Sequence, residues 1–167
     1  MRILLALLLL FNTASACKTG EYLEVNIYST TNDKPLGSIK FKDSEYGLLI
    51  TPNLTDIPNG MHGFHIHTNP ACGNNGKDAG GHYDPTGKHK HSGPYSSDGR
   101  IADLPNLYAD KNNKVTMQVL APRVKVKDLQ NRSLIIHADI DNYSDHPVKL
   151  GGSGARIACG IIKATND

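Results

Sequence analysis

His65-Ile66-His67 is the local pattern with the clearest chemistry. In an extended chain, residues i and i+2 project from one face, so both imidazoles can reach one ion. Neutral imidazoles on a rigid element suit copper or zinc. His137 lies in a run rich in β-branched residues, where Ile136, Ala138 and Ile140 would share one face and His137 the other. His82, His89, His91 and Asp103 add imidazoles and a carboxylate from a single stretch rich in Gly and Pro. A lone histidine usually packs or sits at the surface, but this grouping points to a metal site. His62 and His146 fall outside it and are assigned packing or surface roles.

The elements that must position these residues read as strands. Leu23, Val25 and Ile27 alternate with Glu24, Asn26 and Tyr28, the period of a half-buried strand. Ile39 and Phe41 give a second strand after the turn Thr31-Asn32-Asp33-Lys34-Pro35, and Leu48 to Thr51 a third that Pro52 ends. Val115, Met117 and Val119 alternate with polar neighbours, and Leu134 to Ile140 continues the series. No 3.6-residue apolar stripe runs through the chain. Short strands between many turns predict an all-β antiparallel sandwich or barrel. Two long connections interrupt it, Asn69 to Asp103 and Asn142 to Gly154, and the first carries His82, His89, His91 and Asp103. Connections of that length are usually functional or disordered.

The chain has 167 residues, the size of one domain, with 16 Gly and 9 Pro. Its net charge of +2 is too small to argue for a nucleic-acid binder. Met1-Arg2, the apolar run Ile3 to Phe11 and Ala14-Ser15-Ala16 together read as a signal peptide over 1–16, leaving one domain over 17–167. The run is shorter than the roughly 20 apolar residues that a membrane span needs. An exported protein meets an oxidising compartment, where cysteines pair, and this chain has 3 of them. Cys17 follows the cleavage point. It either carries a lipid anchor or becomes an ordinary N-terminus, and the missing Leu of a lipobox favours the second. Asn53-Leu54-Thr55, Asn131-Arg132-Ser133 and Asn142-Tyr143-Ser144 match the glycosylation triplet, which matters only in a eukaryotic secretory host.

Gly63-Phe64-His65-Ile66-His67, Gly80-Gly81-His82-Tyr83-Asp84-Pro85, Asp103-Leu104-Pro105 and the run Gly151 to Gly160 together resemble a Cu/Zn superoxide dismutase. Ala121-Pro122-Arg123 and the Gly-Gly-His-x-Asp-Pro run look like the exported bacterial branch, and the likeness extends from Glu21 to Ile162. It implies an antiparallel Greek-key β-barrel with long metal-binding and electrostatic loops. It also implies one Cu and one Zn per chain. His65, His67, His82 and His137 would bind Cu; His82, bridging, would join His91 and Asp103 on Zn. Asp141 would hydrogen-bond ligands of both metals, Cys72 and Cys159 would form the family disulfide, and Arg156 would guide the anion.

One position departs from the family pattern. A third zinc histidine is expected three residues before the aspartate, but Gly99-Arg100-Ile101-Ala102-Asp103 puts Arg100 there. Arginine has no lone pair for a metal. His89 is the nearest spare imidazole, so the expected zinc set is His82, His89, His91 and Asp103, with a water-completed three-residue site as its competitor.

The implied reaction is dismutation of superoxide by Cu(II)/Cu(I) cycling in the periplasm, or outside the cell in a eukaryote, by a monomer or homodimer. His82 would carry a proton and Arg156 would hold the anion. The rival reading is a non-catalytic exported carrier of copper or zinc, which would need neither Arg156 nor a four-histidine site.

Overall fold

The structure is a computed structural model and describes residues 22–164, so the signal-peptide segment and Cys17 lie outside it. The first strand, β1 (Leu23–Ser29), buries Val25 and Ile27 and exposes Glu24 and Asn26, as the alternation predicts. It pairs antiparallel with β2 (Pro35–Ser44), which pairs with β3 (Gly47–Leu54). Next come β4 (Gly60–His62), β5 (Phe64–His67), β6 (Leu107–Ala109), β7 (Val119–Ala121), β8 (Arg132–His137) and β9 (Arg156–Ile162). Seven of these form one curled antiparallel sheet in the order β5-β8-β9-β1-β2-β3-β7, and β4 pairs with β6. Neighbours that are not consecutive in sequence, β5 beside β8 and β9 beside β1, give the crossovers of a Greek key.

Phe41, Phe64, Ile27, Ile39, Ile50 and Leu104 are fully buried inside this half-barrel. Each such side chain stabilises the fold by roughly 1.5–3 kcal/mol through burial. That core fixes β5, β8 and β9, the strands that border the site.

Three strand boundaries differ from the sequence reading, at Pro52, at 115–119 and at His137. β3 runs through Pro52, which pairs in register with Ile39. β7 pairs only with Leu48, Leu49 and Ile50, so the β7 ladder has ended by Pro52 and needs no N–H there. The alternation at 115–119 does not form one strand: Val115 bridges Leu54, Met117 is exposed, and only Val119 onward joins the sheet. The third is at His137, where β8 ends with a register shift and Ile140 becomes exposed. The expected shared face of Ile136, Ala138 and Ile140 therefore does not exist.

Both passes of the long connection cover the free edge of β5. Tyr83 N–H donates to Ile66 O at 2.9 Å on the outward pass, and Ile66 N–H donates to Ala102 O at 3.0 Å on the return. A Cys72–Cys159 disulfide, 87 residues apart in sequence, ties the start of this connection to β9.

Candidate metal centre

β5 is buried on both faces, so His65 and His67 point inward with no access to bulk water. His82 bridges His67 and Asp103 bridges His65, which brings the long connection over the strand. His137, the last residue of β8, pairs across the sheet with Arg156, the first of β9. The result is two adjoining groups whose ligand atoms lie within 4.8 Å of one another: His65, His67, His82 and His137, and His82, His91 and Asp103. His82 belongs to both. A third such group, His65, His91 and Asp141, links the two through the carboxylate of Asp141.

The hydrogen bonds fix each ring. His67 Nδ1 donates to Gly80 O at 2.9 Å and His137 Nδ1 to Gly154 O at 3.1 Å, leaving both Nε2 lone pairs free. His65 is reversed: its Nε2 donates to Asp141 Oδ2 at 2.7 Å, leaving Nδ1 free. Those three free atoms are buried and have no hydrogen-bond partner, and beside them the buried His91 Nδ1 and His82 Nδ1 face Asp103 Oδ1 at 2.9 and 3.4 Å. Buried polar atoms without partners are costly, and three converging lone pairs beside an imidazole–carboxylate group fit a cation. The donor set, imidazoles with one carboxylate, suits copper and zinc.

Charge agrees with that reading. Burial, and then the neighbouring His82, push His65 down to about 3 and His67 down to about 2. His137 falls to about 4, chiefly through burial. All three are neutral at pH 7, as metal-binding imidazoles must be. His91 goes the other way: burial would lower it, but the Asp103 and Asp141 carboxylates outweigh burial and raise it to about 9. Its Nδ1 faces Asp103 Oδ1 at 2.9 Å. A metal ion there would take the place of the proton.

Arg156 closes the other side. Its Nη1 donates to Gly76 O at 2.6 Å and its Nη2 to Gly80 O at 2.7 Å, both carbonyls of the long connection. It lines a cleft of about 340 Å³ together with His82, His137 and Lys149. No carboxylate pairs with Arg156 among the described residues, so its charge stays available to an anion.

Most of the expected residues thus meet, and His89 does not. Asp84 accepts the backbone N–H groups of Lys88 and His89, and His89 takes a left-handed φ of 52°. That pinned turn leaves its ring 85% exposed, 3.8 Å from Asp84 and outside the ligand group. The expected four-residue group is therefore corrected: His82, His91 and Asp103 come together without His89. His62 packs as expected, its ring held between Pro58 O and His137 O, and His146 is exposed.

Two residues were missed. Asn106 clamps the backbone of Asp141, and Gly151 lies so close to Asp141 that a side chain would collide with its carboxylate. The Gly-Gly pair at 151–152 was a visible signal; Asn106 had none.

Residues 36–162 match the family model described as copper/zinc superoxide dismutase. A superoxide dismutase [Cu-Zn] from Legionella pneumophila is 48% identical over 151 residues, covering 89% of this chain and 91% of that protein. The solved Cu/Zn superoxide dismutase from Brucella abortus is 40% identical, with a TM-score of 0.79 over 85% of this chain and 99% of its own. The monomeric copper, zinc superoxide dismutase from Salmonella enterica superposes with a TM-score of 0.73 at 37% identity, over 86% of this chain and 100% of its own. With the fold, the paired ligand groups and these relatives in agreement, the chain belongs to the copper/zinc superoxide dismutase family.

Proposed function

We propose that His65, His67, His82 and His137 hold copper in this enzyme, that His82, His91 and Asp103 hold zinc, and that His82 is shared. The protein is a superoxide dismutase that uses both metals. Copper bound there supplies one-electron chemistry by which two superoxide anions and two protons become O2 and H2O2. The observation that carries the assignment is the convergence of buried ligand atoms in two groups that share His82, three of those atoms having no partner.

The chain's own residues do the rest. Arg156 draws superoxide into the cleft by charge and orients it by hydrogen bonding, with Lys149 on the same wall. His82 Nδ1 faces Asp103 Oδ1 at 3.4 Å, on the zinc side. With copper bound, the other ring nitrogen of His82 would be the one on the copper side and would supply a proton for the peroxide product. An imidazole shared by two cations is held as imidazolate, so it is a ready proton acceptor. Asp141 orients His65 and His91 together, so the two subsites keep one geometry.

Residues 1–16 act as the export signal and 17–167 as the mature domain, working in the periplasm. The Cys72–Cys159 disulfide supports this reading, since such bonds persist in oxidising compartments. A non-catalytic carrier is disfavoured, because Arg156 over a four-imidazole group serves anion chemistry and the relatives are dismutases. The deciding experiment is copper and zinc analysis with a superoxide assay on the same exported protein. Copper and zinc present with turnover is expected; full copper loading without turnover would overturn the enzyme reading.

A further inference from the structure

Arg100 is the residue whose chemistry the dismutase reading leaves unused. Its Nε lies 3.7 Å from Asp84 Oδ2, with the guanidinium largely buried. Its N–H donates to Lys90 O at 3.0 Å, and its carbonyl accepts from Arg123 Nη1 at 3.4 Å. Its backbone ties the connection between His82 and Asp103, while its side chain keeps to Asp84 and leaves Nη1 buried without a hydrogen-bond partner. Arginine also has no lone pair to give. Among the described residues, no other His, Cys, Asp or Glu joins His82, His91 and Asp103 within 4.8 Å of all three. The exposed His89 ring is turned to Asp84. A cleft of about 460 Å³, lined in part by Asp84, His89 and Arg100, borders the subsite at His82, while His91 and Asp103 lie buried behind it.

We infer that the zinc subsite of this chain has three protein ligands and a fourth position open to an exchangeable small ligand, water or a small anion, entering beside Arg100. The inference rests on the zinc assignment proposed above. Zinc with three protein ligands and an open position is the arrangement of catalytic rather than structural sites. Arg100 fastens the loop to Asp84, a task that a fourth metal bond would otherwise share. With one protein ligand fewer, the zinc would be released more readily than from a closed tetrahedral site.

The test uses the mature protein with spectroscopically silent Cu(I) in the copper subsite and Co(II) in place of zinc, titrated with azide. A saturable change in the Co(II) visible spectrum is expected for the parent and, unchanged, for His89→Ala. Arg100→His should abolish the response and slow Co(II) release to a chelator at least tenfold. An azide-insensitive parent with both metals bound overturns the open position alone. If His89→Ala then gains the response, His89 is the fourth ligand. An Arg100→His protein that responds like the parent overturns the placing of residue 100 beside the open position. Copper uptake with no Co(II) uptake overturns the zinc assignment itself, and this inference with it.

Discussion

Asn106 and Asp141 hold each other by two hydrogen bonds: Asn106 Nδ2 donates to the Asp141 carbonyl at 2.9 Å, and Asp141 N–H donates to Asn106 Oδ1 at 3.0 Å. Asp141 in turn aims one carboxylate oxygen at His65 and the other at His91, each at 2.7 Å. The clamp therefore sets the ring orientation in both subsites from a distance.

Asn106→Ala should loosen that carboxylate without touching a ligand. Leaving a buried N–H and C=O without partners costs about 1–3 kcal/mol. Supporting groups of this kind typically change metal affinity by about 10–100-fold. We expect a lower melting temperature and zinc loss to a chelator at least tenfold faster, with the disulfide intact. Zinc retention equal to the parent's would show that Asp141 holds its place unaided.

Arg156→Ile should lower the rate and flatten its dependence on ionic strength while copper content stays the same. The argument is one of charge: an unpaired guanidinium beside His137 attracts a monovalent anion, and salt screens that attraction. Because Arg156 also ties Gly76 and Gly80, Arg156→Lys is the control. It keeps the charge and loses the two-pronged tether, so it should retain the salt dependence. Rates in salt series for the three proteins decide the matter.

His65→Ala and His67→Ala should each abolish turnover and reduce bound copper, since each removes one of four converging imidazoles. Both rings are buried between β5 and the covering loop, so part of the loss is a cavity, and far-ultraviolet circular dichroism should still show a β fold. Near-normal turnover in either variant would refute the copper assignment.

His65 and His67 were legible because their partnership is local: the two-residue period of a strand puts both rings on one side. The pairing of His137 with Arg156 was legible only through the resemblance, because it depends on the register of β8 against β9. Asn106 was not legible. Its partner is 35 residues away, and nothing in the sequence around it carries a period or a motif. His89 misled because spacing counts residues, not directions. Two hydrogen bonds to Asp84 turn its backbone so that the ring faces water. In the same way, alternation at 115–119 signalled a strand that the sheet takes up only from Val119.

Cys72→Ser with Cys159→Ser should destabilise the protein by about 4–5 kcal/mol in the chain-entropy account of a long closed loop, here 87 residues apart in sequence. The loss falls on the connection that carries His82, because Cys72 anchors its first turn beside Gly76 and Arg156. Denaturant unfolding of the metal-free protein measures the difference without metal linkage. A change below about 1 kcal/mol would mean that the unfolded chain already keeps these segments together.

Gly151 and Gly152 separate backbone strain from a steric effect on the site. Both have positive φ, 76° and 67°, so alanine at either costs about 1–2 kcal/mol of left-handed backbone strain. Their surroundings differ. A Cβ on Gly151 would collide with the Asp141 carboxylate and come within 2.8 Å of His91 Nε2, whereas one on Gly152 meets only Val148, at 3.5 Å. Gly151→Ala must therefore push Asp141 off His91, and His65 loses its acceptor with it. Gly152→Ala leaves that triangle alone. We expect both variants to melt a few degrees lower, and only Gly151→Ala to release zinc at least tenfold faster and to lose activity in proportion. Equal zinc release from the two variants would show that strain in the 149–154 turn, and not the approach of Gly151 to Asp141, governs the subsite.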